Sequence, residues 1–140
     1  RVYTLLGDGE IEEGQVWEAF MFARHYKLDN LRVIIDNNGL QIDGPVEQVM
    51  SSYPILDKLA AFGFEAVEID GHDFDALEGA FAQAETVKGK PFAILMKTTK
   101  GKGVSFMENQ VGWHGKAPNQ EQYEIAMAEL KARLAELEAN

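Results

Sequence analysis

Two polar loops, each directly after a short apolar run, constrain the fold of this chain more than any other feature. Val2–Leu6 is followed by Gly7-Asp8-Gly9, and Leu31–Ile35 is followed by Asp36-Asn37-Asn38-Gly39. Both runs are rich in residues that favour strands, and both stop at turn-forming residues, which predicts two β-strands. Each polar loop then occupies the carboxyl end of its strand.

The segment between these loops predicts a helix. Glu13–Tyr26 places Val16 and Phe20 at helical spacing, with no Pro or Gly after its second residue. A strand, helix and strand in this order form a right-handed crossover with parallel strands. Parallel neighbours end at the same edge of a sheet, where open α/β sheets bind ligands. We therefore expect Asp8 and Asn38 to approach each other.

The side chains expected at this edge offer hard oxygen ligands. Asp8 supplies a carboxylate, Asn38 an amide oxygen, and the Gly39-Leu40 segment backbone carbonyls. This set is too small to enclose Ca²⁺, but it suits Mg²⁺, which completes its shell with water and substrate phosphates. Gly7 and Gly9 would let the backbone and the following helix N-terminus approach a phosphate closely. The predicted ligand is a magnesium-bound diphosphate.

An ordinary structural explanation exists for each loop alone, because Gly-Asp-Gly and Asn-Asn-Gly are common turns. Acidic residues also crowd the first loop, at Glu10, Glu12 and Glu13. They complement the dipole of the first helical turn, or else a bound cation must offset them. It is the pair of loops, in register after two strands, that favours a ligand site.

Composition excludes several classes of protein. The chain has 140 residues, 46% of them hydrophobic, which suffices for one folded domain with a core. Its net charge of −10 argues against nonspecific binding to nucleic acid and to anionic membranes. With no cysteine there is neither a disulfide nor a thiolate zinc site, which fits a cytoplasmic protein. No apolar run reaches membrane-spanning length.

The rest of the chain continues the alternation of helices and strands. Gly44-Pro45 leads into a segment that we interpret as a polar loop, and further helices and strands follow. In chain order, these are the loop Val46–Tyr53, the helix Ile55–Phe62, the strand Phe64–Asp70, the helix Asp73–Lys88 and the strand Phe92–Met96. The predicted architecture is one open, mainly parallel α/β sheet with helices on both faces.

Further candidate site residues follow the third and fourth strands. His72 and Asp73 come directly after the third strand, although Asp73 is favoured as a helix N-cap. The long loop Lys97–Pro118 follows the fourth strand, and a loop of this length is usually functional or disordered. It holds the one locally basic region of the chain: Lys97, Lys100, Lys102, His114 and Lys116. His114, beside Trp113, is the strongest candidate, its alternative being a packed surface histidine.

The last predicted helix begins at Asn119, which can form a capping box with Gln122. Its apolar residues recur at alternating spacings of four and three. This stripe packs either on its own domain, which we expect, or on another subunit. Its members are Tyr123, Met127, Leu130, Leu134 and Leu137.

In combination, the motifs resemble those of the transketolase family. Gly7-Asp8-Gly9-Glu10-Ile11-Glu12-Glu13-Gly14, with Glu18 in the helix and Asp36-Asn37-Asn38 beyond it, is similar to the thiamine diphosphate motif. The resemblance extends over nearly the whole chain, to the amino-terminal half that many bacteria encode as a separate subunit. It is carried further by Gln41-Ile42-Asp43-Gly44, Gly71-His72-Asp73, Thr98-Thr99-Lys100-Gly101-Lys102-Gly103 and Trp113-His114-Gly115.

The resemblance implies specific residue roles. Asp8 and Asn38 correspond to side-chain ligands of the Mg²⁺ ion, and Leu40 to its backbone carbonyl ligand. Gly7 and Gly9 correspond to the diphosphate-binding loop, together with Asp8 and Asn38. The resemblance further implies that His114 contacts the diphosphate or substrate and assists proton movements. It places Glu13 and Glu18 near a subunit interface, as acidic groups that couple two active sites, whereas an ordinary surface position is the alternative for Glu18.

The implied activity is transfer of a two-carbon ketol unit between sugar phosphates, as in the pentose phosphate pathway. The family binds the other half of thiamine diphosphate on a second domain, so we expect an oligomer with a carboxyl-terminal transketolase partner, and no activity from this chain alone. Arg1 begins almost inside a strand. We therefore expect residues 1–140 to form one partial cofactor-binding domain that lacks the family's upstream Gly-rich segment.

Two alternatives remain open. The two-loop motif also occurs in α subunits of 2-oxo acid dehydrogenases and in deoxyxylulose phosphate synthase, although Gln41–Gly44 and Trp113–Gly115 favour transketolase. The chain can also be interpreted as a noncatalytic α/β assembly module, against which Asp8 and Asn38 argue.

Overall fold

The structure is a computed structural model that describes residues 1–139. It divides into two compact units, Arg1–Thr98 and a second unit from Thr99 onward. The single cofactor domain expected over residues 1–140 stays a prediction.

The first unit alternates strands and helices from its first residues. One turn of 3-10 helix, Glu10–Glu12, precedes its first α-helix. In chain order the elements are β1 (Val2–Gly7), α1 (Gly14–His25), β2 (Leu31–Asn37), β3 (Leu40–Gln41), β4 (Gly44–Pro45), α2 (Val46–Val49), α3 (Ile55–Ala61), β5 (Glu65–Asp70), α4 (Phe74–Thr86) and β6 (Phe92–Lys97).

Four strands form an open sheet in the order β1-β2-β6-β5, and every neighbouring pair is parallel. Leu6 pairs with Ile35 and Gly7 with Asp36, so β1 and β2 end side by side. The predicted crossover and parallel sheet are confirmed. The register places the two polar loops at one edge of the sheet.

Apolar side chains pack on both faces of this sheet. Ala93 and Leu95 of β6 belong to a core cluster with Phe20 of α1 and Leu59 of α3. The alternate residues of β6, Phe92 and Ile94, pack instead with Ala80 and Ala84 of α4. A strand buried on both faces is typical of a parallel sheet between two helical layers. The predicted helices on both faces are confirmed.

The prediction is wrong for part of the segment expected to be a polar loop from Val46 to Tyr53. Val46 begins the short helix α2 and is fully buried. Before it, β3 and β4 form a small antiparallel ladder. Gly44 allows this reversal, because its φ of +147° suits glycine. The short helix that begins at Val46 therefore depends on the burial of this residue in the tertiary structure. The composition of the segment did not predict it.

Helix ends follow their predicted signals. Asp73 Oδ1 accepts hydrogen bonds from the backbone N–H groups of Asp75 at 2.9 Å and Ala76 at 3.2 Å. Pro54 stands at the start of α3, and Gly63 follows its end with a φ of +81°. The expected N-cap role of Asp73 is confirmed.

The second unit combines an irregular segment with a long helix, α5 (Gln120–Glu138). Asn119 and Gln122 form the predicted capping box. Trp113, which ends a 3-10 turn, donates its indole N–H to the carbonyl of Phe106 at 2.9 Å.

The expectation that the α5 stripe is buried within the chain is wrong. Four of its five members are exposed, Met127 being partly buried, and the one buried residue of the helix is Ala126. The exposed members are Tyr123, Leu130, Leu134 and Leu137. Within residues 1–139, no helix combines the length and apolarity needed to cross a bilayer.

Replacing the N-cap of α4 should destabilise the first unit. Asp73→Ala removes the acceptor for two backbone N–H groups, so we expect a loss of about 1 kcal/mol in the free energy of unfolding, measured with urea. Asp75→Ala is the matched control, because Asp75 lies in the first turn but its side chain is not the cap. Equal losses in the two variants would contradict the capping role.

The carboxylate of Glu129 should titrate below its ordinary pKa of 4.5. The hydroxyl of Ser105 donates to Glu129 Oε1 at 2.5 Å and the backbone N–H of Ser105 to Oε2 at 2.8 Å, and these bonds lower the Glu129 pKa. Because the folded pKa is lowered, this contact stabilises the fold above the ordinary pKa and is lost as pH falls through the lowered value.

The test is ¹³C NMR titration of the Glu129 carboxyl. Ser105→Ala should raise its pKa towards the ordinary value, since the side-chain bond is the larger cause of the shift. Ser51→Ala, at an exposed serine, serves as control. An unchanged Glu129 pKa in Ser105→Ala would rule out this cause.

Candidate functional site

Asp8 lies just beyond β1 and is the most buried acidic residue at the edge where the strands end, with 1% of its surface exposed. Its Oδ2 accepts hydrogen bonds from Gly39 N at 2.6 Å and from Asn37 Nδ2 at 2.8 Å. Its Oδ1 accepts one from Gly9 N at 3.0 Å. The two loops therefore meet at this carboxylate, as their positions after parallel strands predict.

Asn37 is the last residue of β2 and is also buried. Besides Asp8, its Nδ2 donates to the hydroxyl of Tyr53 at 2.6 Å. Its Oδ1 accepts from Lys97 Nζ at 2.7 Å. Asn37 thus joins the carboxylate to two side chains that come from other parts of the first unit.

Asn38 and Leu40 complete the second loop. Asn38 Oδ1 accepts from the backbone N–H of Leu40 at 3.0 Å, and its Nδ2 lies 3.4 Å from Asp36 Oδ2. Asp36 also accepts a hydrogen bond from the hydroxyl of Thr98. The residue opposite Leu40 in its ladder is Pro45, which has no N–H to offer the Leu40 carbonyl.

Gly9 lies against the β3 strand with almost no spare room. A Cβ added at Gly9 would stand 2.7 Å from the Cβ of Gln41. The φ of Gly9 is −76°, which any residue adopts, so the requirement for glycine is steric. A side chain here would displace Gln41 or push the first loop away from the second.

Two of the acidic residues that crowd the first loop have partners within it or across from it. Glu10 Oε2 accepts from the backbone N–H of Gly7 at 3.1 Å. The two carboxylate oxygens of Glu12 accept from Gln41 Nε2 at 3.3 and 3.4 Å. These hydrogen bonds give both carboxylates a structural role. The 3-10 turn separates this loop from α1, which begins only at Gly14.

The oxygens of Asp8 and Asn38 fit Mg²⁺. They are too few for a metal ion that is held by protein side chains alone. A carboxylate has about four lone-pair sites, and three of those of Asp8 are occupied, which leaves one on Oδ1. Asn38 Oδ1 accepts from the Leu40 N–H and has a second lone pair. No group of three or more His, Cys, Asp or Glu residues able to hold a metal occurs within residues 1–139. Mg²⁺ suits such a site, because it keeps several water or phosphate ligands.

Glu13 and Glu18 lie apart from this hydrogen-bond network. Glu13 is the N-cap residue of α1, without a side-chain capping bond, and Glu18 lies within the helix. The side chains of Glu13 and Glu18 are both exposed in the single chain. Their expected place at a subunit interface stays a prediction.

His114 belongs to the second unit, directly after the 3-10 turn Val111–Trp113. It is exposed, and its Nδ1 lies 3.5 Å from Lys100 Nζ. Lys116 stands over the Trp113 ring, 4.9 Å from its centroid. Basic and aromatic groups of the predicted basic region therefore do cluster within this unit. The roles predicted for His114 stay predictions.

The sequence did not link three residues to Asp8 that the structure joins to it by hydrogen bonds: Asn37, Tyr53 and Lys97. Alternation along β2 could have revealed Asn37, since Val33, Ile35 and Asn37 are all buried on alternate positions. Nothing in the sequence pattern predicted that Tyr53 would contact Asn37. Lys97 belonged to the basic group, but nothing in the sequence linked it to β2.

An open parallel sheet with oxygen donors at the carboxyl ends of its strands is typical of α/β domains that bind cofactors. The chain matches the family described as transketolase, thiamine diphosphate binding domain, over residues 1–135. The crystal structure of transketolase from Campylobacter jejuni superposes with a TM-score of 0.84 at 35% identity, covering 92% of this chain and 20% of that one.

Two relatives are themselves single subunits of transketolases. The A subunit of apulose-4-phosphate transketolase from Phocaeicola vulgatus is 44% identical over 138 residues, covering 99% of this chain and 49% of the relative. The 6-deoxy-6-sulfo-D-fructose transketolase subunit SqwG from a Clostridium species is 44% identical over 130 residues, covering 93% and 47%. This chain belongs to the transketolase thiamine diphosphate binding domain family, which confirms the resemblance, and it spans about half the length of these curated relatives.

A methyl group at Gly9 should destabilise the site through steric overlap. For Gly9→Ala we expect a loss of about 1–3 kcal/mol in the free energy of unfolding, measured with urea, because the added Cβ overlaps Gln41. Gly7→Ala is the matched control, since its Cβ would make an ordinary 3.9 Å contact with Glu10. Because Gln41→Gly removes the side chain that the added methyl group overlaps, Gly9→Ala should cost clearly less in a Gln41→Gly background than in the wild-type chain. Equal losses in both glycine variants would contradict this account.

Proposed function

We propose that this chain binds the magnesium-diphosphate half of thiamine diphosphate in a transketolase, and that a carboxyl-terminal partner completes the active site. The single observation that supports this most strongly is the convergence of the two loops at Asp8. A hydrogen bond of 2.6 Å joins its carboxylate to the backbone N–H of Gly39, 31 positions away. Family membership supports the identity of the ligand.

In this proposal Asp8, Asn38 and Leu40 hold the Mg²⁺ ion through one carboxylate, one amide and one backbone oxygen. Gly7 and Gly9 keep the first loop free of side chains, so that a diphosphate can approach the backbone. When bound, thiamine diphosphate supplies the electron sink for breaking a carbon–carbon bond beside a carbonyl. The chain's own contribution is to bind and orient the diphosphate end.

The other predicted residues act around this centre. His114 contacts the diphosphate or substrate and assists proton movements there. Lys100 Nζ, 3.5 Å from the His114 ring, adds a positive charge that suits an anionic group of the ligand. Glu13 and Glu18 lie at the interface with another subunit. Both lie outside the Asp8 network, which leaves them available for that contact.

The substrates we propose are ketose and aldose phosphates or similarly acidic sugars. The names of two relatives denote a sugar with a phosphate and a sugar with a sulfo group. These relatives favour transketolase over the 2-oxo acid alternatives. We further propose that the protein acts in the cytoplasm, in an oligomer, and that this chain alone has no turnover.

Calorimetric titration of thiamine diphosphate with Mg²⁺ tests the proposal. The chain is titrated alone and then with a carboxyl-terminal transketolase subunit. We expect metal-dependent binding that appears or tightens with the partner and is lost in Asp8→Ala, because that variant removes the only carboxylate ligand. Asp75→Ala, an exposed carboxylate at the start of α4, is the matched control and should bind as the wild type does.

Two results would count against the proposal. Binding that survives in Asp8→Ala would exclude the assigned metal ligand. Absence of binding with the partner present would favour the noncatalytic assembly module. Turnover with pentose phosphates, compared with turnover of pyruvate, separates transketolase from the other thiamine-dependent enzymes.

A further inference from the structure

We propose that Gln41 is a positioning residue for the backbone carbonyl of Leu40. Its side chain ties the segment that carries this carbonyl to the first loop, through Glu12 in the turn that follows that loop. This inference rests on the proposed function, in which the Leu40 carbonyl is a ligand of the Mg²⁺ ion. It gives a role to a side chain that is not itself among the proposed ligands.

A backbone ligand depends on its neighbours for its direction. The Leu40 carbonyl belongs to the planar peptide unit that joins Leu40 to Gln41, so it has no side-chain torsion of its own. On the amino side, the N–H of Leu40 donates to Asn38 Oδ1 at 3.0 Å. On the carboxyl side, the direction of the carbonyl follows from how Gln41 is held.

The amide of Gln41 fits its surroundings in one orientation only. Its Nε2 donates to both carboxylate oxygens of Glu12, at 3.3 and 3.4 Å. Its Oε1 accepts from the backbone N–H of Asp43 at 3.1 Å. A rotated amide would set its oxygen against the Glu12 carboxylate and its N–H groups against the N–H of Asp43, and both contacts are repulsive. Gln41 is therefore fixed at both ends of its amide.

The stem of the same side chain lies against the first loop. The Cβ of Gln41 comes so close to Gly9 that a Cβ added there would stand 2.7 Å from it. The side chains of Gln41 and Glu12 are both partly buried, which shields their contact from water. Gln41 thus touches Gly9 with its stem and Glu12 with its amide. These two contacts hold the Leu40 carbonyl in a fixed position relative to the Asp8 carboxylate.

Breaking the contact between Gln41 and Glu12 should weaken Mg²⁺ binding. Gln41→Met retains the stem and removes the amide, whereas Glu12→Met removes the acceptor. Loss of a residue that orients a metal ligand lowers metal affinity by about 10–100-fold, and we expect a loss in that range for each variant.

Exchanging the two residues should restore most of the affinity. Gln41→Glu alone sets two carboxylates against each other. Adding Glu12→Gln forms an amide–carboxylate pair again, with donor and acceptor reversed, and the carboxylate at position 41 still accepts from the N–H of Asp43. We therefore expect the double variant to bind Mg²⁺ more tightly than Gln41→Glu does, and close to the wild type.

The first test is calorimetric titration of Mg²⁺ at saturating thiamine diphosphate, on the full chain with a carboxyl-terminal transketolase subunit. Urea unfolding of each variant establishes that it is folded, and if one methionine variant does not fold, the other is titrated. Gln83→Met, at an exposed glutamine of α4, is the matched control and should bind as the wild type does.

The second test observes the Leu40 carbonyl directly. Leu40-Gln41 is the one Leu-Gln pair in the sequence, so labelling with [1-¹³C]leucine and [¹⁵N]glutamine gives a single ¹³C–¹⁵N signal in NMR spectra. Glu12→Met retains this pair. The shift of the signal at saturating Mg²⁺ and thiamine diphosphate should be smaller in Glu12→Met than in the wild type, because the carbonyl no longer points at the ion.

Three results would overturn the inference while the proposed function stands. They are wild-type affinity in the methionine variants, a loss that the exchange of the two residues does not restore, and an unchanged Leu40 shift in Glu12→Met, which a merely structural role would give. If the wild-type complex does not bind Mg²⁺ with thiamine diphosphate, the proposed function fails, and the inference fails with it.

Discussion

The burial of one carboxylate, that of Asp8, is the interaction on which the rest of the site depends. A charged group removed from water is costly unless hydrogen bonds replace its hydration. Asp8 receives three, two from the end of β2 and the loop after it, and one from its own loop. Each hydrogen bond to a charged group contributes about 1.5–3 kcal/mol. The carboxylate therefore connects the two loops, and it is also the metal ligand that we propose.

This connection requires the sheet to be parallel and in register. Gly7 pairs with Asp36, and Asn37 pairs with Lys97, so three strand ends supply groups to one small region. The register is in turn held by two core layers, with Leu95 packed on one face of β6 and Ile94 on the other. A slip by one residue would exchange these faces. Core packing thus positions the polar side chains at the edge.

Hydrogen-bond donors and one lysine lie close to the negative charges at the carboxyl edge of the sheet. The chain carries a net charge of −10, and acidic residues surround the first loop. Glu10 is bound by the backbone N–H of Gly7, and Glu12 by the side chain of Gln41. Lys97 brings a positive charge within 2.7 Å of the Asn37 amide. The carboxylates of Glu10 and Glu12 are thus engaged in hydrogen bonds that hold the first loop. Of these acidic groups, the Asp8 carboxylate is the one suited to a cation.

The amino-acid sequence by itself determined the four strands of the parallel sheet, the helix between the first two of them, the approach of Asp8 to the second loop and the caps at Asp73 and Asn119. These features follow from local patterns and from the handedness of a crossover, which act over short stretches of chain. Only the tertiary structure decided the contacts of Asn37 with Tyr53 and Lys97, the burial of Val46 and the exposure of the α5 stripe. Those depend on which distant residues meet, because burial and hydrogen bonding between separate elements are set by packing and not by spacing along the chain.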